Sequence, residues 1–232
     1  MGRGSRRYAD VAAEILARPA RLGTVRLVAV DGPTGSGKTT FAGRLAAALR
    51  TAGARVAVVH TDDLLDGWGD LITFWPRLAE WILNPLRRGA TGAYRRYDWA
   101  GGGGFEARWR PVPVPDVLIL EGVSAGRVTI RAELTWLAWV WAPPDLRLDR
   151  VLTRDGADIR AELLAWMGAE AEHFAEDRPA EHADVLVDGA SHQAAPEAGS
   201  GLLGGLSGWT TFDTLRHDPR DTPDRGRGGR KP

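Results

Sequence analysis

Gly32-Pro-Thr-Gly-Ser-Gly37-Lys38-Thr39 fills every fixed position of the pattern G-x-x-x-x-G-K-[ST], a turn whose backbone N–H groups can curl around an anion. The apolar run Val25-Arg-Leu-Val-Ala-Val30 before it reads as a strand, and Thr40 to Arg50 after it reads as a helix. The helix N-terminus adds the positive end of its dipole to the anion site. Gly32, Gly35, Ser36, Gly37, Lys38, Thr39 and Thr40 are therefore the expected triphosphate-binding residues. Lys38 would reach the β- and γ-phosphates as a mobile charge, and the Thr39 hydroxyl would ligate Mg²⁺. ATP and Mg²⁺ are the cofactors this pattern predicts.

Carboxylates stand where two further apolar runs end. Val56-Ala-Val-Val59 leads into His60-Thr61-Asp62-Asp63, and Val117-Leu-Ile-Leu120 leads into Glu121-Gly122. Beside a phosphate loop, one acid of the Asp62/Asp63 pair can accept a proton from an attacking hydroxyl, while another holds Mg²⁺ through water. Asp62, nearer the strand end, is the expected base, and Asp63 is placed with the substrate. A helix N-cap would also put an Asp here. Glu121 occupies the position that organises the metal, as a second Mg²⁺ residue beside Thr39.

Two other groups carry possible chemistry. Tyr94-Arg-Arg-Tyr97-Asp98-Trp99 interleaves rings with guanidiniums ahead of the glycine run 101–104. Such a segment suits a polar ring-bearing substrate, with Tyr97 and Trp99 stacking and Asp98 taking a hydroxyl. A surface hairpin would have the same composition, and the glycines would serve either a closing lid or plain slack. Arg147, Arg150 and Arg154 lie at i, i+3 and i+7 on one helix face, where at least one would neutralise charge on a transferring phosphoryl group. Asp149 and its neighbours would balance them if that face were simply solvated.

These groups need a scaffold. The runs 136–141 and 184–187 add two strands to the three already named, all near-continuously apolar, as in a sheet covered on both faces. Helical patterns at 38–51, 71–83, 145–154 and 158–176 alternate with them, and Tyr8 to Ala17 reads as a short amphipathic helix. The prediction is an α/β three-layer sandwich with a five-stranded parallel sheet. Residues 1–20 read as an N-terminal arm, 21–190 as the catalytic domain, and the Gly-, Pro- and charge-rich stretch 191–232 as a disordered tail. Within that stretch, Leu202 to Phe212 reads as a candidate docking segment.

Composition excludes several classes. Thirty Lys+Arg balance thirty Asp+Glu, so no global field draws the chain to nucleic acid or membrane, and the arginine-glycine end reads better as solvated disorder. With no cysteine there is no disulfide, thiolate metal site or cysteine nucleophile. No apolar run approaches the roughly 20 residues of a membrane span, and no signal peptide is visible, so a cytoplasmic location is expected. Oligomeric state is not readable. Ten tryptophans, most between Trp68 and Trp166, serve either the core or the wall of a ring-binding pocket.

Taken in order, Gly32–Thr40, Thr61-Asp62-Asp63, Tyr97-Asp98-Trp99, Leu118-Ile-Leu-Glu-Gly122, Arg147–Arg154 and Ala183 to Gly189 resemble the uridine kinase family of phosphate-loop kinases, kin to phosphoribulokinase and bacterial pantothenate kinase. The resemblance covers about 25–190. It implies transfer of the γ-phosphate of ATP to a hydroxyl of a small molecule, a nucleoside first. By the same resemblance Asp62 is the general base, Tyr97 a nucleoside contact, Glu121 the magnesium-organising acid, and Arg150 and Arg154 the lid-side phosphate contacts. The sequence departs from the family after the Tyr-Asp pair, where uridine kinases carry a base-reading His and this chain runs Trp99-Ala-Gly-Gly-Gly-Gly104. Its lid around Asp155-Gly156 is also short.

Other readings are a kinase of another hydroxylated metabolite (sugar, vitamin precursor or antibiotic) and a nucleotide-binding regulator without catalysis. A guanine-specific switch would need an Asn-Lys-x-Asp element. The only Asn is Asn84, followed by Pro85, and the only Gln is Gln193.

Overall fold

The computed structural model describes residues 4–99, 101–190 and 209–212, and only the backbone of Gly4, Ser5 and 209–212. In chain order the strands are β1 (Gly4–Arg6), β2 (Arg26–Asp31), β3 (Val56–His60), β4 (Gly92–Tyr94), β5 (Arg110–Val112), β6 (Val117–Glu121), β7 (Leu134–Trp141), β8 (Val185–Asp188) and β9 (Trp209–Phe212). Seven form one parallel sheet in the order β1-β9-β8-β7-β2-β6-β3, and β4 pairs antiparallel with β5 as a separate hairpin. The five predicted strands are all present, side by side. Two short strands, β1 and β9, extend the sheet beyond β8. The rest of the expected tail lies outside the described residues.

Alternation along β2 shows why its sequence is apolar throughout. Leu27 and Ala29 enter one core and Val28 and Val30 the other, so both faces are buried. Helices α1 (Tyr8–Ala17) and α2 (Lys38–Thr51) cover the second face, with Tyr8 against Phe41 at 5.5 Å between ring centroids. The first face packs against the helical segment 75–87 and Trp166 and Phe174 of α6 (Arg160–Asp177). Helix α5 (Pro144–Asp155) follows β7 directly.

One boundary differs instructively. The helix expected over 71–83 runs instead over 75–87, as α3 (Trp75–Leu78), a π turn at Ala79–Leu83, and α4 (Asn84–Arg87). Pro85 has no N–H to donate and its ring crowds the preceding turn, so the wider π turn just ahead of it lets the helix continue. Arg87 is thus helical, and its guanidinium holds Glu133 through two bonds of 2.7 Å rather than facing a ligand.

Among the described residues, no helix is long and apolar enough to cross a membrane.

Candidate active site

The phosphate loop spans the gap between the end of β2 and the start of α2. Gly32 is forced by close approach, since a Cβ there would run into the carbonyl oxygen of Val140 on β7. At Gly35 a Cβ would sit 2.6 Å from the Arg147 carbonyl oxygen. Asp31, fully buried, accepts N–H groups from Gly32 at 2.7 Å, Ser124 at 2.9 Å and Gly126 at 2.8 Å. One carboxylate therefore ties the phosphate loop to the loop after β6. Burial raises its pKa to about 6, against the pull of those donors and of Lys38. Lys38 is itself buried and donates from Nζ to the Pro33 carbonyl at 2.9 Å, folded onto its own loop. Ser36 is buried within that loop, and Thr40 lies at the exposed start of α2.

Strand register assembles the acids. Glu121 pairs with Val30 across β2/β6 and with His60 across β3/β6, so three strand ends meet beside the loop. Thr39 Oγ1 donates to Glu121 Oε1 at 3.2 Å, and His60 Nδ1 lies 2.5 Å from Oε2. That bond, more than burial opposes it, raises the His60 pKa, with the nearby acids adding to the effect. Asp62 is exposed in the turn after β3. Its carboxyl is pushed up by the protein crowded around it, then by the like charge of Glu121.

Among the described residues, no group of three or more His, Asp or Glu side chains is arranged to hold a metal. The Thr39–Glu121 pair nevertheless offers two hard oxygens beside a triphosphate loop. That donor set fits Mg²⁺, which keeps several waters and takes its remaining ligands from phosphates.

The aromatic segment is tightly built. Tyr97 bridges to Phe105, and the Asp98 N–H donates to the Gly104 carbonyl at 2.8 Å. Asp98 Oδ1 accepts the Gly101 N–H at 2.8 Å, so the glycine run is a tied turn. Trp99 Nε1 donates to the Asp62 carbonyl at 3.1 Å, bringing the hairpin to the base position. Edge-to-face contacts link Tyr97 to Trp99 at 4.9 Å, Trp99 to Trp68 at 5.4 Å and Trp68 to Trp166 at 6.0 Å. Asp63 is placed differently from Asp62. It is buried, with Oδ1 accepting from Arg96 at 2.8 Å and Oδ2 from the Tyr94 hydroxyl at 3.3 Å. Its carboxylate fastens the hairpin to the end of β3.

The three arginines of α5 divide their work. Arg147 is buried against Glu170. Arg150 donates to the carbonyls of Gly35 at 3.3 Å and Gly189 at 3.0 Å. Arg154 is the exposed one, held by Asp155 through two bonds of 2.6 Å. Its pKa is raised first by that pairing, and further by the charges of Asp62 and Glu121. A cavity of about 250 Å³ opens where Gly37, Thr40, Arg44, Arg150 and Gly189 meet. A larger one, about 480 Å³, lies among Arg18, Arg21, Arg131 and His182 at the other end of β7, away from these groups.

No protein-family model and no curated protein matches the sequence. Solved structures do match in shape. A possible uridine kinase from Bacillus stearothermophilus superposes with a TM-score of 0.58 at 22% identity, over 77% of this chain and 96% of that one. A candidate fructose transport system kinase from Silicibacter sp. TM1040 gives 0.53 at 23% identity, over 77% and 96%. The fold is that of the phosphate-loop kinases.

Within that fold Lys38, Thr39, Asp62, Glu121, Trp99 and Arg154 gather at one edge of the sheet, with Thr39 bonded to Glu121, Trp99 to the Asp62 carbonyl, and Lys38, Glu121 and Arg154 acting electrostatically on Asp62. Asp98 is engaged within the hairpin and Asp63 is bonded to it, while Arg150 bonds the carbonyls of Gly35 and Gly189 beside the 250 Å³ cavity. Sequence reasoning missed Asp31, His60, Thr34, Trp166 and Glu170. His60 had a signal, because the last residue of β3 sits level with the acid that ends the neighbouring β6. Glu170 lies 136 positions from Thr34, its partner in the phosphate loop, and nothing local announces it.

Proposed function

We propose that this protein is an ATP-dependent kinase that transfers the γ-phosphoryl group to a hydroxyl of a small molecule, with a nucleoside as the first candidate acceptor. The observation that carries the reading is the open Asp62 carboxylate beside the Thr39–Glu121 pair and next to the phosphate loop. Asp62 takes the acceptor's hydroxyl proton while the oxygen attacks the γ-phosphorus. The bond from that phosphorus to the β–γ bridging oxygen breaks, and ADP leaves. Crowding and the like charge of Glu121 raise its pKa, which makes it a stronger base toward that proton.

Gly35, Ser36 and Gly37 offer backbone N–H groups to the phosphates. Lys38 leaves the Pro33 carbonyl to meet the β- and γ-oxygens, and Arg154 leaves Asp155 for the transferring group. Thr39 and Glu121 hold Mg²⁺, which when bound neutralises phosphate charge. Trp99, Trp68 and Tyr97 form the wall on the acceptor side and keep the reacting atoms together.

The reading is tested by ATP consumption with purified protein and Mg²⁺ over nucleosides, sugars and vitamin precursors. Stimulation by a nucleoside is expected. Stimulation only by another hydroxylated compound moves the acceptor class, and stimulation by none of them overturns the kinase reading.

A further inference from the structure

Thr34 has no task in the transfer described above, yet it is the most firmly held residue of the phosphate loop. Its hydroxyl oxygen accepts the indole N–H of Trp166 at 2.8 Å. The Thr34 N–H donates to Glu170 Oε2 at 2.9 Å, and its carbonyl accepts from Arg147 Nη1 at 3.2 Å. Arg147 and Glu170 also bond each other at 2.6 Å, with side chains only 9% and 1% exposed. Side chain, N–H and carbonyl of one residue are thus each gripped by a different residue of α5 or α6.

A glycine-rich loop has little packing of its own and would otherwise lose much conformational freedom when an anion orders it. A buried ion pair is by itself weak evidence for stability, because desolvating two charges offsets their attraction. Here both Glu170 oxygens and Arg147 Nη1 are aimed so that the pair fixes the peptide between them. Trp166 is anchored separately by its packing in the core and by its contact with Trp68.

We propose that Trp166, Glu170 and Arg147 are positioning residues, which hold the phosphate loop in its anion-binding shape through Thr34 before the nucleotide arrives. This rests on the kinase reading, and makes α6 a part of the nucleotide site although it touches no substrate.

The test is a double-mutant cycle on the full chain, read by titration with a fluorescent ATP analogue and by steady-state kinetics. Trp166→Phe keeps the ring and removes the donor, and Thr34→Val keeps the shape and removes the acceptor. Each should weaken nucleotide binding about five- to tenfold, the scale of one lost hydrogen bond. The double variant should be no worse than either single, because both delete the same bond. KM for ATP should rise by that factor while kcat changes less than about twofold. Unchanged affinity in Trp166→Phe, or losses that multiply in the double variant, overturns the positioning role. If Trp166→Phe fails to fold, Thr34→Val decides, and wild-type affinity there overturns the proposal. A wild-type protein that binds no nucleotide overturns the kinase reading, and this inference with it.

Discussion

His60 Nδ1 lies 2.5 Å from Glu121 Oε2, and the two residues are register partners at the ends of adjacent parallel strands. Glu121 is held on its other oxygen by Thr39, so its carboxylate cannot turn without breaking one of two bonds. The bond to Glu121 raises the imidazole's pKa, and the nearby carboxylates Asp62 and Asp63 favour its protonated form further.

Removing that imidazole should therefore act through the metal. In His60→Ala the Mg²⁺ concentration for half-maximal rate should rise about tenfold or more, the usual effect of losing a residue that orients a ligand. Rates measured across a Mg²⁺ series check this, and an unshifted midpoint contradicts it.

Asp62 and Lys38 should separate chemistry from binding. Asp62→Asn should lower kcat by roughly 10²–10⁴, the range for a lost general base, with nucleotide affinity kept. Lys38→Ala should abolish transfer and weaken nucleotide binding as well. Calorimetric titration with ATP beside a turnover assay distinguishes the two, and full activity in the Asn variant would remove Asp62 from the base position.

Asp31 makes stability depend on pH in an unusual sense. A carboxyl whose pKa is raised in the folded state favours folding when protonated. Its contribution is whole below the ordinary value of 3.8 and is lost as pH climbs through about 6. The loss amounts to about 3 kcal/mol over that window. Urea unfolding of wild type and Asp31→Asn from about pH 4 to about pH 7 should show their stability difference moving against the wild type by that order. A difference flat in pH contradicts it.

Arg154 and Asp155 form an exposed pair, which contributes about 0.5 kcal/mol or less once solvent screening is counted. Asp155→Ala should leave the Tm nearly unchanged yet lower KM for ATP, because the phosphate no longer competes with a carboxylate for the guanidinium. Arg154→Ala should lower kcat instead. Thermal melts beside kinetics decide it, and a KM that does not fall in Asp155→Ala removes the competition.

Much of the scaffold was legible. Helix 38–51 was read to the residue because a glycine turn marks its start and its apolar face is regular. Thr39, Asp62 and Glu121 lie near one another because parallel strands deliver their ends to one edge, with Glu121 ending β6 and bonded to Thr39 at the start of α2, and Asp62 in the turn after β3. Residues whose role depends on a distant partner were not legible. Asp63 is placed with the substrate by its position alone, but Arg96, 33 positions on, takes its carboxylate. The helix at 75–87 was misplaced because Pro85 suggests an ending, whereas a π turn absorbs it.

The Asp31 carboxylate has a mechanical consequence. Its three N–H bonds join the glycine loop after β2 to the loop behind Glu121, so those two walls travel as one piece. The hairpin is fastened separately, to the turn after β3, by the Tyr97 N–H on the Asp63 carbonyl at 2.8 Å, the Arg96 guanidinium on the Asp63 carboxylate at 2.8 Å and the Trp99 indole N–H on the Asp62 carbonyl at 3.1 Å. Strain on the aromatic side is accordingly passed to the short turn that carries Asp62 and Asp63, and not to the glycine loop.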